Sequence, residues 1–383
     1  MNPQLLFYAL QAAGINFFCG VPDSILSSFC DYLVDKLDDE HHIIAANEGG
    51  AIALGIGHYL ATGQIAGIYM QNSGLGNAIN PLLSLASNYV YSVPLLLIIG
   101  WRGELEGQDE PQHTHQGKVM LDMLKVMNIH YFILGDKEFN NKELINESVQ
   151  LARNQKSPVA LILRKNILNK TESEGKRFLP NANLSLTRED ALSCIINSIS
   201  NNDVIIASTG MISREVFEII KESGHIQHKN SFLTIGGMGH TSQIALAISL
   251  ARQDKNVYCL DGDGSMIMHM GSLSIAAQVS KNNFKYLLIN NGMHQSVGGQ
   301  PTVGFKINMC QIARSFGFDF TKTAVTKKQI KDTMNKMKKH KFFLEIQVNS
   351  DYRKNLSRPS ILPYDSKKDF MEFLLYEKTK NIF

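Results

Sequence analysis

Two short segments place hard oxygen ligands at a spacing that suits a divalent cation: Asp261-Gly262-Asp263-Gly264 and, after twenty-five intervening residues, Asn290-Asn291-Gly292. Each follows an apolar run, Val257 to Leu260 and Tyr286 to Ile289, and the stretch between them accommodates one crossover helix. Two parallel strands would then end side by side, one offering the Asp263 carboxylate and the other the Asn291 amide oxygen. Mg²⁺ takes near-octahedral oxygen ligands and usually borrows some from phosphates, so Asp263, Asn291, a backbone carbonyl and a diphosphate make a coherent set. Gly262 and Gly264 are expected to let N–H groups turn inward toward the anion. Without such a ligand, the first segment is a tight turn and the second a helix cap.

The elements around these segments must bring further polar groups to the same edge of a sheet, since open α/β sheets bind ligands at the carboxyl ends of their strands. Glu48 lies in Asn47-Glu48-Gly49-Gly50-Ala51, after the strand-like His41 to Ala46 and before a helix of small residues, Ile52 to Leu60. There its carboxylate either steadies the helix N-terminus, worth about 0.3–1 kcal/mol, or does chemistry. Asp23 poses the same choice: it caps the next helix or faces a cleft, because Gly20 and Pro22 stop the strand Asn16 to Cys19 just before it. Ile65 to Met70 opens into the polar turn Gln71-Asn72-Ser73-Gly74-Leu75-Gly76-Asn77. Val93 to Gly100 is continuously apolar, as a central parallel strand must be. Beyond it, Trp101-Arg102-Gly103-Glu104 and Asp109 to Gly117 read as a long polar loop, in which His113 is either catalytic or substrate-binding or a surface residue. In the second half, the strand Asp203 to Ala207 is closed by Ser208-Thr209-Gly210, and Phe232 to Ile235 leads to Gly236-Gly237-Met238-Gly239-His240. Pro3 to Ala13 reads as the first helix, Thr321 to Phe343 as a lysine-rich solvated helix face, Phe342 to Val348 as a closing strand and Tyr352 to Pro363 as an extended arm.

With 383 residues, 44% of them hydrophobic, the chain has enough material for two α/β domains with full cores. The boundaries expected are 1–170, a polar, proline-bearing linker at 171–186, and 187–383. Ile52-Ala53-Leu54-Gly55 and Ile244-Ala245-Leu246-Ala247 precede the two key turns at almost equal spacing, as in a duplicated unit. A net charge of +3 is too balanced for a nucleic-acid footprint. Five scattered cysteines without C-x-x-C spacing indicate neither a disulfide framework nor a zinc site, and fit a reducing cytoplasm. No apolar run attains the roughly 20 residues of a membrane span, so no membrane partner is expected.

Gly262-Asp263-Gly264 followed at this distance by Asn290-Asn291 resembles the signature of thiamin-diphosphate enzymes. The resemblance implies two doubly wound parallel-sheet domains, one for pyrimidine and one for diphosphate. By position it implies Asp263, Asn291 and the carbonyl of Met293 as Mg²⁺ ligands, and Gly262, Gly264, Ser265 and Met266 as the diphosphate cradle. Asn72, Ser73, Gly74, Thr209, Gly210 and Gly237 are further cofactor contacts on this reading. Glu48 matches the glutamate that hydrogen-bonds N1′ of the aminopyrimidine, and Met238 the bulky residue that bends the cofactor into a V. Each cofactor is shared between subunits in this family, which implies at least a homodimer.

Many decarboxylases of the family carry a third, central domain where this chain has only a linker. Gly20 to Ser24, Asn47 to Gly63, Tyr69 to Ala86, Gly236 to His240 and Asn290 to Phe305 are similar to the phosphonopyruvate decarboxylases, a group without that domain. Sulfopyruvate decarboxylases share several of these motifs but are often split into two chains, with Asp-Asn-Gly and a tyrosine where this chain has Asn290-Asn291-Gly292 and His294. The resemblance thus implies decarboxylation of 3-phosphonopyruvate to phosphonoacetaldehyde through a thiamin ylid and enamine, in phosphonate biosynthesis, with sulfopyruvate as the alternative substrate. Asp23, His113 and His294 are the candidate acids for enamine protonation. Arg102, Ser296, Gly298, Gly299 and Gln300, with Asp23, are the candidates for holding the substrate, arginine for its planar fork and the glycine turn as a backbone nest.

Overall fold

The computed structural model describes residues 1–104, 109–135, 141–169, 183–357 and 359–380. The chain divides into two units, Met1–Phe178 with Ser296–Gln300, and Leu179–Gln295 with Pro301–Phe383. Most of the stretch expected as a linker lies outside the described residues; Thr187, just beyond it, caps the next helix by accepting from the Asp190 N–H.

In the first unit the elements run α1 (Pro3–Ala12), β1 (Phe18–Gly20), α2 (Ser27–Lys36), β2 (His42–Ile44), α3 (Glu48–Thr62), β3 (Gly67–Gln71), α4 (Leu75–Pro81), β4 (Leu96–Gly100), α5 (Pro111–Val126), β5 (His130–Leu134), α6 (Asn141–Gln155) and β6 (Val159–Leu163). The six strands are all parallel, in the order β2-β1-β3-β4-β6-β5. From α7 (Arg188–Ile196) onward follow β7 (Val204–Ala207), α8 (Met211–Ser223), β8 (Ser231–Leu233), α9 (Thr241–Ala251), β9 (Val257–Gly262), α10 (Asp263–Met268), α11 (Met270–Val279) and β10 (Phe284–Asn290). The short β11 (Met293–His294) and β12 (Gln300–Pro301) precede α12 (Met309–Phe316), β13 (Phe320–Ala324), α13 (Lys327–Met337), β14 (Phe342–Gln347) and α14 (Pro363–Lys380). The second sheet reads β8-β7-β9-β10-β14-β13, the order of the first with each strand replaced by its counterpart.

Each sheet is buried on both faces. Along β4, Leu97 and Ile99 join one core while Leu96 and Ile98 join the other; along β10, Leu287 and Ile289 oppose Tyr286 and Leu288 in the same way. Period-two alternation between two apolar layers is why β4 and the Tyr286–Ile289 stretch of β10 read as unbroken apolar runs.

Several local expectations are corrected. The polar stretch after β4 is not a loop throughout: Pro111, whose fixed φ suits a first helical position, starts α5, and His113 stands on its first turn. Thr321 belongs to β13, so the lysine-rich helix face is only Lys327–Met337. The arm beyond Tyr352 leads into α14, which the sequence reading did not anticipate. Gly262 and Gly264 are not left-handed turn residues: Gly262 is extended (φ −100°, ψ 157°) and Gly264 lies within α10. Gly264 is needed for room, a methyl there meeting the His294 ring at 2.7 Å, whereas at Gly262 the nearest atom would be 3.5 Å away.

Candidate active site

At the carboxyl ends of β1 to β4 the first unit gathers a set of buried polar groups. Asn47 caps α3 by accepting from the Gly50 N–H at 2.8 Å, which makes Glu48 the first helical residue. Glu48 is buried; desolvation pushes its carboxyl up, and the Asn77 amide, donating to Oε2 at 2.7 Å, partly offsets this. A methyl on Gly74 would fall on Glu48 Oε1, so this glycine leaves space for the carboxyl. Asp23 is fully buried, and desolvation pushes it up to about 6. Its Oδ2 accepts from the N–H groups of Ile25 and Leu26 at 2.9 and 3.3 Å, so the capping role is real, while Oδ1 is buried without a partner among the described residues. A methyl on Gly100 would fall on Asp23 Oδ2.

Arg102 is committed within the unit. Its Nε and Nη2 donate to Asp109 at 2.7 and 2.6 Å and its Nη1 to Ser24 at 2.7 Å. Burial alone would raise Asp109, but the Arg102 guanidinium outweighs it and holds the carboxylate well below the usual range. Asn72 exchanges two hydrogen bonds with the Arg102 peptide, donating to its carbonyl at 2.9 Å and accepting from its N–H at 3.0 Å. The Ser73 hydroxyl accepts from Gln71. His113 packs its carbonyl where a methyl on Gly103 (φ +72°) would stand. Ser296–Gln300 groups with this unit; Gly298 and Gly299 have positive φ, and the Gln300 amide donates to Asp31 at 2.8 Å.

The second unit gathers its own set at the ends of β7, β9 and β10. Asp263, first residue of α10, is buried, and desolvation pushes it up to about 6 even though the Thr302 hydroxyl donates to it. Asn291 is buried, its Oδ1 accepting from the Met293 N–H at 3.3 Å. A methyl on Gly264 would lie 2.7 Å from His294 Cε1 and 3.4 Å from the Met238 methyl, so both side chains lie against α10. Desolvation pulls His294 down to about 4 and leaves it neutral at pH 7. The Ser265 hydroxyl accepts from the Gly239 N–H at 3.0 Å and from Ser208 at 3.1 Å, and Thr209 accepts from the Gly236 N–H at 3.0 Å. Gly210, Gly236, Gly237 and Gly239 all have positive φ, and nothing lies within 4 Å of the Gly237 Cβ position, leaving a glycine-lined opening beside Met238. Met266 points into the core instead.

These features suit the cofactor the sequence implies. The buried Asp263 carboxylate, the buried Asn291 amide and the Met293 carbonyl could offer a hard oxygen set that phosphate oxygens would complete, and the described residues hold no cluster of three or more His, Cys, Asp or Glu that would bind a metal alone. Sequence reasoning gave no role to Asn77, Thr302, Asn290 or Asp261. Asn77 stands at the end of the polar turn Gln71–Asn77, while Asp261, which accepts from the Tyr286 hydroxyl at 2.7 Å, and Thr302 act through contacts between distant segments that no local pattern announces.

Residues 3–126 match the family described as thiamine pyrophosphate enzyme, N-terminal TPP binding domain, and residues 208–348 its C-terminal TPP binding domain, together more than half of the chain. Phosphonopyruvate decarboxylase of Streptomyces hygroscopicus is 25% identical over 385 residues, covering 95% of this chain and 92% of its own. Sulfopyruvate decarboxylase of Methanosarcina acetivorans is 26% identical over 403 residues, covering 99% of both chains. Subunit alpha of the Methanococcus maripaludis sulfopyruvate decarboxylase is 34% identical over 160 residues, 42% of this chain and 92% of its own. The chain belongs to the thiamin-diphosphate-dependent decarboxylases: an enzyme of two parallel α/β domains with thiamin diphosphate as cofactor. An intact chain does not separate the two substrate groups, because the Methanosarcina relative is itself a single chain. No helix among the described residues is long and apolar enough to cross a membrane.

Proposed function

We propose that the enzyme decarboxylates 3-phosphonopyruvate to phosphonoacetaldehyde and CO₂, with Mg²⁺ anchoring the cofactor, as a step in building carbon–phosphorus compounds. The observation that carries the decarboxylase chemistry is Glu48: a buried carboxyl, raised by desolvation, held by Asn77 and given room by Gly74. Asp263, Asn291 and the Met293 carbonyl would hold the cation, and the backbone around Gly237 and Gly264 the diphosphate. When bound, thiamin diphosphate supplies the electron sink for the pair released as CO₂ departs. Glu48 holds the proton that the aminopyrimidine needs at N1′. Asp23, with its ionisation near 6 and one oxygen unpartnered, is the group suited to keep a proton and give it to the carbon that loses the carboxylate. His294, neutral, serves as a hydrogen-bonding group and not as a cationic acid.

For the substrate's second anion, we favour the N–H groups around Gly298 and Gly299 over Arg102, whose charge Asp109 already balances. Asn290-Asn291-Gly292 and His294 support the phosphonate over the sulfonate. Sulfopyruvate is kept as a second reading because the two groups of relatives align with nearly equal identity. We take the working form to be at least a homodimer; a purely monomeric mass by light scattering with cofactor bound would overturn that. Aldehyde formation is to be measured from 3-phosphonopyruvate, sulfopyruvate and pyruvate, with thiamin diphosphate and MgCl₂ added or withheld. Cofactor-dependent preference for the phosphonate supports the proposal; preference for sulfopyruvate moves the substrate, and no turnover of any of the three sinks it.

A further inference from the structure

Glu345 lies within β14 and is buried, a costly place for a carboxyl group unless its oxygens are satisfied. Among the described residues it forms no ion pair; three neutral donors hold it instead. The Asn290 and Gln347 amides donate to Oε1 at 2.8 and 3.2 Å, and the Thr323 hydroxyl donates to Oε2 at 2.8 Å. Asn290 Nδ2 also donates to the Gly304 carbonyl at 2.9 Å, while its Oδ1 accepts from the Gly292 N–H at 3.1 Å. Turned the other way, the amide would set its oxygen against two acceptors and its NH₂ against a donor, so Glu345 and Gly304 together fix its direction. Gly292 (φ +70°) is the pivot of the segment that carries Asn291 and Met293. A methyl on Gly304 would lie 2.6 Å from Asn290 Oδ1 and 2.7 Å from Asp263 Oδ2, which puts the Asn290 amide and the Asp263 carboxyl against the same glycine.

We propose that Glu345 is a positioning residue for the cation site: by orienting Asn290 it fixes the Gly292 turn, and so the Asn291 amide and Met293 carbonyl. The inference rests on the reading of Asp263, Asn291 and Met293 as cation ligands. Groups that orient ligands from behind are worth about 10–100-fold in metal affinity.

Thiamin diphosphate binding is titrated calorimetrically at a series of MgCl₂ concentrations, and thermal midpoints without either ligand report folding. Glu345→Leu is expected to raise the MgCl₂ needed for half-maximal binding by about 10–100-fold. Glu345→Gln keeps an oxygen for Asn290, with the Thr323 hydroxyl turning to accept, and should restore most of the affinity; Thr323→Val should leave it near wild type. If Glu345→Leu does not fold, Asn290→Ala breaks the link from the other end and must shift the MgCl₂ dependence likewise. Folded variants with wild-type MgCl₂ dependence, or a lowered thermal midpoint with no such shift, overturn the proposal. Wild-type binding that ignores MgCl₂, or an Asp263→Asn variant that binds normally, overturns the cation-site reading and this inference with it.

Discussion

Asp23 and Glu48 show how burial prepares a carboxyl group for proton chemistry. Glu48→Gln keeps the volume beneath Gly74 but not the ionisable proton, and should lower kcat by about 10²–10⁴-fold while leaving thiamin diphosphate affinity nearly intact. Steady-state kinetics beside calorimetric binding checks this. Asp23 makes a prediction about pH. Its carboxyl rises from an ordinary 3.8 to about 6 on folding, so the folded apo-protein binds the proton more tightly than the unfolded chain does. That contribution is fully present below pH 3.8 and is lost as the pH rises through about 6, at most about 3 kcal/mol in all. Urea unfolding at pH 4.5 and 7.5 should show Asp23→Asn gaining on the wild type as the pH rises; a pH-independent difference between the two would refute it. Both residues were legible in the sequence as strand-end carboxyls, and the resemblance gave Glu48 its role, but for Asp23 the choice between cap and cleft depends on desolvation and on Gly100 approaching from β4.

At the scale of elements, α10 depends on a glycine for its neighbour's sake. Within a helix, Gly264→Ala would ordinarily stabilise by about 1 kcal/mol. Here the added methyl meets the His294 ring at 2.7 Å, so the sign should reverse, costing about 1–3 kcal/mol as overpacking does. In a His294→Ala background the same change should become neutral or stabilising, as thermal denaturation of the four proteins would show. The strands were the most legible elements, since β4 and the Tyr286–Ile289 stretch of β10 had to be apolar to serve two cores. α5 was missed because its half-buried first turn is polar and lacks apolar periodicity, and α14 because tyrosines and lysines interrupt its apolar stripe. Asp263 and Asn291, the proposed cation ligands, could be picked from their spacing, but Thr302 and Glu345 reach this region from segments 39 and 55 residues away from their partners.

For the whole molecule, each unit closes two apolar cores of its own, one on either face of its sheet. Segments 1–178 and 179–383, produced together as separate chains, should therefore both be recovered folded, with sigmoidal thermal transitions by circular dichroism. A flat, non-cooperative melt for either would show that its cores are insufficient. In the intact enzyme, thiamin diphosphate with MgCl₂ should raise the midpoint by the binding linkage, about 2.7 kcal/mol at a hundredfold excess over Kd. Either component alone should give much less, which differential scanning calorimetry can test.

The shared strand order also bears on how labour is divided after duplication. Asn72 and Arg102 follow the third and fourth strands of the first sheet, as Asp263 and Asn291 follow their counterparts in the second. In the first unit that crossing is occupied by the protein itself, an asparagine amide stitched to the Arg102 peptide by two hydrogen bonds. In the second unit the same place holds a carboxylate and an amide, Asp263 accepting from the Thr302 hydroxyl and Asn291 from the Met293 N–H. On the proposed reading the second unit alone would then hold a diphosphate, and the first, with Glu48 and Asp23, would be left to handle protons.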